Sequence, residues 1–515
     1  MKNERTKNSV RNIIVGIVRR VVEILFPFIV RTIFIKSLGE EYLGLGGLYS
    51  SILQVLNIAD LGIANAIIAS MYKPIAENDT VKVSALMNMY KKAYRTIGFV
   101  ILSVGIIIMP FIDKFISGSP PENINIYILW TLYLVNTVIG YLLFMHKVSL
   151  INAHQRNDII DGIATICRIM INFLQIFIVV WLKNMYLYVI LTTIYIITYN
   201  FWCSYECDKR YPQYTCNGNL DKETSGKIKK EVSALALQKI GKTISNSLDS
   251  IVISAFLGLT VVAVYGNYNY VISAITTFTS LIYVAIQASI GNSTAVETKD
   301  KNYEDFKVLF LWGMWLVGWC SICFMCLFQD FMILWLGEDL LFHISIVLTL
   351  VLRFFFEQIR RTVTVYKDAI GMWRVDKWKP IVGCLVNLFL NVILVKKIGV
   401  AGVAISTIIS CVCIELPWET HVLFKFYFLK SEIKYYLKML LYIFEVGILG
   451  VITYMICNIL PFYGFQAIVV KLVICCLVPN ILFVLINHRN PSYKKGLEML
   501  KKAFRLLTSD TAARG

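Results

Sequence analysis

The sequence predicts an all-α polytopic membrane protein with about fourteen transmembrane helices. Of its 515 residues, 57% are hydrophobic and only 16% are charged, and the mean hydropathy is +0.66. Soluble globular domains carry about 25% charged residues, so the composition excludes that class. The formal charge of +17 does not indicate nucleic-acid binding, because the sequence holds no basic domain with a packed core of its own.

Apolar runs bounded by polar breaks predict where the transmembrane helices lie, since each needs about 20 apolar residues to cross a bilayer. The second, eighth and ninth runs are longer than this, so we expect those helices to tilt or to project into water. The predicted spans are residues 12–35, 42–70, 88–112, 124–146, 158–182, 185–205, 232–257, 262–290, 305–335, 341–359, 380–395, 400–424, 439–460 and 463–487.

Lysine and arginine are divided unevenly between the two sets of loops. With the N terminus in the cytoplasm, 37 of the 50 lie in the cytoplasmic loops or at the helix ends that adjoin them. By the positive-inside rule, this asymmetry places both termini in the cytoplasm. The opposite loops are short and contain only Lys36, Lys114, Lys183, Lys396 and Lys397.

Two stretches of the sequence recur at nearly equal offsets. LGEEYLGLGGLYSSI matches LGLTVVAVYGNYNYV at an offset of 219, which pairs Gly39 with Gly258, and Asn172 pairs with Asn387 at an offset of 215. Both offsets cover six spans, an even number, so the halves share one orientation and predict two six-helix lobes in a parallel pseudo-twofold repeat around a central cavity. The predicted domains are the N-terminal lobe (1–205), a cytoplasmic linker (206–231), the C-terminal lobe (232–425), an additional helix pair (426–490) and a basic amphipathic tail (491–515).

The first span carries charges inside an apolar helix. Arg20, Glu23, Pro27 and Arg31 share one arc of about 80°, with Arg19 beside it. Each charge costs roughly 2.5 to 3.5 kcal/mol at the centre of a bilayer, unless it faces a wet cavity or a partner. In the alternative interpretation, Glu23 pairs within the helix with Arg19 or Arg20, and the arginines extend to the interface.

The seventh span repeats this pattern with Lys239, Lys242, Asn246 and Asp249 on one face. Lysines that extend to the cytoplasmic surface would explain Lys239. They do not explain Asp249, which lies about 17 residues, or roughly 25 Å, into the helix. We therefore expect this face to have a functional role.

Further polar side chains lie inside other spans. Those of the fifth and tenth spans act either as ties between helices or as part of a functional site, and the sequence favours neither. The aspartate of the second span either pairs with a cation of the first span or positions a loop. These residues are Asp161, Arg168, Asn172 and Gln175 on the fifth span, Arg353 and Glu357 on the tenth, and Asp60 on the second.

The embedded cations predict a cavity of positive potential, which favours a phosphate-bearing or otherwise acidic substrate. No phosphate-binding loop, dinucleotide fingerprint, zinc-protease motif or nucleophile elbow is present. We therefore expect a transporter rather than an enzyme, with no cofactor, no bound metal and an ion gradient or membrane potential as its energy source. The 13 cysteines lie mostly in apolar runs and are interpreted as small hydrophobic residues.

Three stretches resemble a known family. The opening LGEEYLGLGGLYSSILQVLNIADLGIANAI, the seventh and eighth spans with ISNSLDSIVISAFLGLTVVAVYGNYNYV, and KKIGVAGVAISTIIS of the twelfth are similar to the Wzx-type flippases. These form the polysaccharide-transport branch of the multidrug/oligosaccharidyl-lipid/polysaccharide (MOP) exporter superfamily. The resemblance implies two six-helix lobes around a central cavity in the bacterial cytoplasmic membrane. It also implies translocation of an undecaprenyl-diphosphate-linked oligosaccharide for capsule or other surface polysaccharide, with a glycan polymerase and glycosyltransferases as partners.

This hypothesis assigns two roles. Arg19, Arg20, Arg31, Arg168, Lys239, Lys242, Asn246 and Arg353 bind the diphosphate or line the cavity, and Glu23, Asp60, Asp249 and Glu357 bind the coupling ion or neutralise charge. A cation-coupled multidrug exporter of the same superfamily is the first alternative, and it predicts an acidic and aromatic cavity. A membrane glycan polymerase or ligase is the second, and it predicts a large external loop that this sequence lacks.

Overall fold

The computed structural model describes residues 2–57, 62–372, 375–459 and 464–512, without the side chains of some helical residues. Within these ranges the chain forms helices and no strand, which confirms the all-α membrane fold. The α-helices are α1 Lys2–Leu38, α2 Glu40–Leu56, α3 Ile63–Ala76, α4 Thr80–Ile108, α5 Ile126–Leu142, α6 Met145–Ala153, α7 Asn157–Phe177, α8 Met185–Arg210, α9 Lys222–Leu257, α10 Leu259–Val296, α11 Lys299–Leu336, α12 Ile344–Ile359, α13 Arg361–Ile370, α14 Lys379–Ser410, α15 Leu416–Leu423, α16 Ile433–Ile459, α17 Gly464–Asn487 and α18 Pro491–Ala512.

Every predicted span overlaps a helix, but the number of spans is not confirmed as fourteen. Among the described residues, eight helices are long and apolar enough to cross a membrane, or nine if α5 and α6, bent by 49°, form one span. Helices α2 and α12 have only 17 and 16 residues, fewer than a straight crossing needs. The run Lys379–Phe428 covers two predicted spans and is interrupted at Ile398 and Gly399, whose backbones are not helical.

The second predicted span is divided rather than continuous. Helix α2 ends at Leu56, and α3 begins after Gly62, whose φ of 104° lies in the left-handed region that favours glycine. Asp60, predicted to pair with a cation or to position a loop, lies outside the described residues. The sequence prediction treated 42–70 as one span, although Asn57, Asp60 and Asn65 interrupt its apolar residues close to Gly62.

The chain divides into two compact units, Met1–Asn267 and Tyr268–Gly515. In the first unit, one core surrounds Tyr49 and Trp130, both fully buried and packed edge to face at 5.4 Å between ring centroids. The indole Nε1 of Trp130 donates a hydrogen bond to the carbonyl oxygen of Gly105 at 3.0 Å. A second core lies around Tyr90 and Tyr94. The predicted lobe boundaries stay a prediction.

Within the first unit, α2 packs against α9 and the beginning of α10. A Cβ at Gly44 would lie 2.0 Å from the carbonyl oxygen of Leu259, so only glycine permits this approach. The glycines matched by the sequence repeat have the same backbone conformation: Gly39 has φ 103° and ψ 167°, and Gly258 has φ 93° and ψ 173°. Each lies between two helices, so the repeat extends to local geometry.

A buried amide donates a hydrogen bond to a threonine in each unit, although the donor in the first unit is not the matched Asn172. In the first unit, Gln175 Nε2 donates a hydrogen bond to Thr192 Oγ1 at 3.0 Å. In the second unit, Asn387 Nδ2 donates to Thr407 Oγ1 at 3.0 Å. The two threonines are separated by the same 215 residues as Asn172 and Asn387. Buried amides therefore tie α7 to α8 in the first unit, and in the second they tie the two segments of α14 on either side of Gly399.

The second unit is built around α11, which contacts α12, α16, α17 and α18. An aromatic core that includes Phe306, Phe310 and Tyr435 joins α11 to α16. Trp315 Nε1 donates to Asn480 Oδ1 at 2.7 Å, which joins α11 to α17. Lys495 of the amphipathic α18 forms an ion pair with Asp305 at 2.8 Å.

Candidate functional site

Arg19 of α1 is the most heavily paired of the predicted site cations. Its Nε lies 2.8 Å from Oε1 of Glu23, one turn along the same helix, and its Nη1 pairs with Asp161 on α7. Phe26 and Phe173, with ring centroids 5.7 Å apart, hold the same two helices together. The intrahelical pairing considered from the sequence is therefore present. Its second carboxylate, from α7, leaves Arg19 little charge for a ligand.

Arg20 and Arg168 are placed differently. The side chain of Arg20 is exposed, and no described carboxylate lies within ion-pair distance of it. The guanidinium of Arg168 on α7 lies 4.3 Å from the ring centroid of Tyr195 on α8, a cation–π contact that keeps its charge. No described carboxylate therefore lies within ion-pair distance of either arginine.

Arg31 is held by α10. Its Nε donates a hydrogen bond to Oδ1 of Asn267, which is fully buried. A Cβ at Gly266 would lie 2.9 Å from Nη2 of Arg31, so a glycine at this position makes room for the guanidinium. The sequence placed Arg31 on the stripe but gave no sign of its partner, which lies 236 residues away.

Arg19, Arg20, Arg31 and Arg168 are named here the basic cluster. Three of them adjoin a row of tyrosines at helical spacing on α8. Arg31 and Arg168 interact electrostatically with Tyr188, and Arg19 and Arg168 interact with Tyr195. Arg31 aside, three of these cations meet only two carboxylates, those of Glu23 and Asp161, and both carboxylates pair with Arg19. The described part of the cluster is therefore positively charged. Such a surface binds anions, and arginine suits phosphate because its planar donors match two oxygens.

Asp249 is the predicted carboxylate that lies deepest, with 1% of its surface exposed. The hydroxyl of Tyr265 donates a hydrogen bond to its Oδ2 at 3.1 Å. Two residues earlier on α9, Ser247 Oγ donates to Gln54 Oε1 of α2 at 3.1 Å. Asp249 therefore lies at the packing of α2, α9 and α10. Lys239, Lys242 and Asn246, predicted to share its face, lie outside the residues whose side chains are described.

In the second unit, Arg353 and Glu357 lie one turn apart on α12, with Arg353 Nε 3.6 Å from Glu357 Oε1. Close to the end of this helix is an ionic network that the sequence analysis missed. It contains three cations and four carboxylates, and the network residues are Arg360, Lys367, Asp368, Asp376, Lys379, Glu415 and Glu419. The available signal was the i, i+4 pair Glu415 and Glu419 within an apolar run.

The centre of the network is buried. Glu419, with 1% of its side chain exposed, pairs with Lys379 and lies 3.7 Å from Lys367. Lys367 also pairs with Asp376 and lies 3.7 Å from Asp368. Burial alone would lower the pKa of Lys367, but Glu419, Asp376 and Asp368 raise it above its ordinary value. Because its carboxylates match or exceed its cations, the network ties α13, α14 and α15 together and offers no net attraction to an anion.

Residues 9–290, more than half of the chain, match the family described as polysaccharide biosynthesis protein. No curated protein matches the sequence. Among solved structures, the lipid II flippase MurJ in an inward closed conformation is 16% identical and covers 93% of this chain and 99% of its own, with a TM-score of 0.66.

Two further solved structures share the fold. A multidrug resistance MATE family transporter of the MOP superfamily, facing inward, is 13% identical over 79% of this chain and 98% of its own, with a TM-score of 0.61. A MOP superfamily transporter from Pyrococcus furiosus, described as having a binding pocket of reverse polarity, is 14% identical over 82% and 97%, with a TM-score of 0.54. At these low identities, the solved structures show a shared fold only. The family match, by contrast, is a match of the sequence itself. The chain therefore belongs to the polysaccharide biosynthesis protein family and has the membrane fold of the MOP-superfamily transporters.

Proposed function

We propose that this protein is a flippase that moves undecaprenyl-diphosphate-linked oligosaccharide units across the bacterial cytoplasmic membrane by alternating access. The observation that carries the proposal is the net positive charge of the basic cluster inside a chain of this family. The family match to polysaccharide biosynthesis and the shared fold with a protein named a lipid II flippase support a lipid-linked substrate. The substrate then serves capsule or other surface polysaccharide, and both termini lie in the cytoplasm.

In this mechanism Arg20 and Arg168 make the principal contacts with the diphosphate, because no described carboxylate neutralises them. Arg31 adds a third donor group, held in place by Asn267. Arg19 positions α1 against α7 through Asp161 rather than binding substrate itself. A charge-assisted hydrogen bond contributes about 1.5 to 3 kcal/mol, so each principal arginine accounts for about tenfold or more in affinity.

Energy is proposed to come from an ion gradient or the membrane potential. Asp249 is the described carboxylate best placed to bind the coupling cation, since it is buried where α2, α9 and α10 pack together. Lys239, Lys242 and Asn246 keep their predicted role in binding the diphosphate or lining the cavity, and Asp60 keeps its predicted role in binding the coupling ion or neutralising charge. A glycan polymerase and glycosyltransferases are the proposed partners.

To test this, the Arg20→Ala or Arg168→Ala variant is expressed in a strain that lacks the gene, and the amount of surface polysaccharide is measured. We expect both variants to reduce export about tenfold or more at equal protein levels. Lys36→Ala removes an exposed cation from the last turn of the same helix as Arg20 and is the matched control. Full export by both arginine variants would refute the role of the basic cluster.

A cation-coupled multidrug exporter is the second candidate, and one observation favours it. Tyr188, Tyr195 and Tyr199 form an aromatic row beside the basic cluster, and Asp249 is a buried carboxylate. Aromatic rings and a carboxylate suit an organic cation. Increased sensitivity of the deletion strain to cationic dyes, with unchanged surface polysaccharide, would favour this function.

A further inference from the structure

Three cysteines from three different helices converge in the second unit. They are Cys326 on α11, Cys457 on α16 and Cys475 on α17, and all three are buried. Their Sγ atoms all lie within 4.8 Å of one another. Cys323, one turn before Cys326, also lies within hydrogen-bonding reach of the Cys475 thiol. Three sulfur atoms therefore face one small volume, and a fourth, that of Cys323, lies next to one of them.

Packing alone explains a single buried cysteine, because the thiol behaves as a small hydrophobic group. It does not explain why sulfur meets sulfur across three helices in a chain where Leu, Ile, Val and Phe supply most of the interior. Thiolates are the soft ligands that Zn²⁺ and Cu⁺ prefer. Cys323 and Cys326 follow the C-x-x-C spacing that often supplies two ligands to one metal ion.

We propose that Cys326, Cys457 and Cys475 bind a thiophilic metal ion, Zn²⁺ or Cu⁺, with Cys323 as the fourth ligand. A Zn–S bond of about 2.3 Å in a tetrahedral site separates the sulfur atoms by about 3.8 Å. The sulfurs of the three helices need to approach by about 1 Å or less from their upper limit of 4.8 Å. On binding, the ligating thiols lose their protons to water and the thiolates bond to the metal.

The surroundings of the cysteines hold in place the helices that carry them. Lys471, one turn before Cys475 on α17, pairs with Asp330, one turn after Cys326 on α11. Its ammonium group is thus beside the site and connects the same two helices. Trp319 Nε1 donates a hydrogen bond to the carbonyl oxygen of Cys475 at 2.8 Å, which fixes the backbone that carries this ligand. Supporting contacts of this kind orient metal ligands.

A metal ion in this position would join the C-terminal pair α16 and α17 to α11. A ligand that binds only the folded protein raises its free energy of unfolding. The gain is about 2.7 kcal/mol when the free ligand concentration is a hundred times the dissociation constant. The proposed role is therefore structural, and it does not depend on which substrate the protein transports. A transport defect after metal removal is not required.

The experiment uses the purified full-length protein in detergent, reduced and stripped of metal by a chelator. It is equilibrated separately with Zn²⁺ and with Cu⁺, and the metal that stays bound after gel filtration is measured. We expect one equivalent of one of these ions per chain and a higher thermal midpoint. Cys457→Ser and Cys475→Ser should each bind the metal ion at least about tenfold more weakly than the parent. Cys476→Ser, an exposed neighbour of Cys475, is the matched control and should bind as the parent does.

A Cd²⁺ titration of the parent protein keeps the proposal testable if a serine variant fails to fold. Bound at the three thiolates, Cd²⁺ should give a thiolate-to-metal charge-transfer band that saturates at one equivalent. The absence of this band would overturn the proposal. So would a parent protein that retains less than about a tenth of an equivalent of either Zn²⁺ or Cu⁺ per chain after gel filtration. Equal loss of binding in Cys476→Ser, or a disulfide between two of the three cysteines in the untreated protein, would overturn it as well.

Discussion

At the scale of single residues, four arginines of similar appearance in the sequence have different surroundings. The helical stripe predicted that Arg19, Arg20 and Arg31 share a region, and the pairing of Glu23 with Arg19 was an alternative visible in the i, i+4 spacing. The carboxylate of Asp161 and the amide of Asn267 lie on other helices, 142 and 236 residues away. No sequence pattern specifies such partners, because tertiary packing decides them.

One prediction concerns the space around Arg31. Gly266→Ala places a Cβ 2.9 Å from Nη2 of Arg31, so the guanidinium has to move away from Asn267. We expect export to fall with protein levels nearly unchanged, since only the end of a flexible side chain is displaced. Gly162→Ala, where a Cβ meets nothing within 4 Å, is the control and should export normally. A normal rate for Gly266→Ala would show that the position of Arg31 is unimportant.

A second residue prediction separates charge from geometry at Arg168. Its cation–π contact with Tyr195 and its proposed phosphate contact both use a planar guanidinium. Arg168→Lys keeps the charge without this shape, so we expect it to export at a rate between those of the parent and Arg168→Ala. Export by Arg168→Lys as low as that of Arg168→Ala would mean that shape, rather than charge, is required.

At the scale of helices, glycine positions and buried ion pairs decide the packing. The repeat predicted from Gly39 and Gly258 recurs in matching backbone angles. The sequence could not show that Gly44 approaches Leu259, because that contact depends on how α2 packs against α10. It also left the ionic network of the second unit unnoticed, because most of those charges lie near predicted loops, where positive charge is expected.

Gly44→Ala is expected to disrupt the packing of α2. Its Cβ would lie 2.0 Å from a backbone oxygen, which cannot yield as a flexible side chain does. Overpacking of this kind costs about 1 to 3 kcal/mol or more, so the thermal midpoint of the purified variant should fall by several degrees. Gly447→Ala, with open space around the added Cβ, serves as the control. An unchanged midpoint for Gly44→Ala would refute the close contact.

The ionic network predicts a coupled loss of stability. Lys367→Met leaves Asp376 and Glu419 with a missing partner in a buried region and should cost about 3 to 5 kcal/mol. Removing Asp376 as well, by Asp376→Leu, should recover part of this loss. Thermal unfolding of both single variants and the double variant measures the coupling, and strictly additive losses would contradict the network.

The same network predicts the direction in which stability changes with pH. Because the pKa of Lys367 is raised in the folded protein, its stabilising contribution is complete below the unfolded-state pKa of about 10.4. The contribution is lost as the pH rises through the folded-state pKa. The difference in thermal midpoint between the parent and Lys367→Met should therefore be constant near neutral pH and shrink only in alkaline solution. A difference that shrinks below neutral pH would contradict this assignment.

At the scale of the whole molecule, composition and the apolar runs were enough to predict an all-α membrane protein. The number of spans was less predictable. Gly62 and the bend between α5 and α6 divide or redirect helices inside single predicted spans, whereas the break at Gly399 lies between two predicted spans. Hydropathy records how apolar a segment is and not where its backbone turns, so runs of similar composition produced helices of different lengths.

The central claim, transport of a lipid-linked oligosaccharide, is tested most directly by the leaflet distribution of that lipid in a deletion strain. We predict that undecaprenyl-diphosphate-linked oligosaccharide accumulates in the inner leaflet when the gene is deleted. The parent protein should restore the normal distribution, and Arg20→Ala should not. An unchanged amount of the lipid in the inner leaflet of the deletion strain, together with greater sensitivity to cationic dyes, would contradict the claim and support a drug exporter.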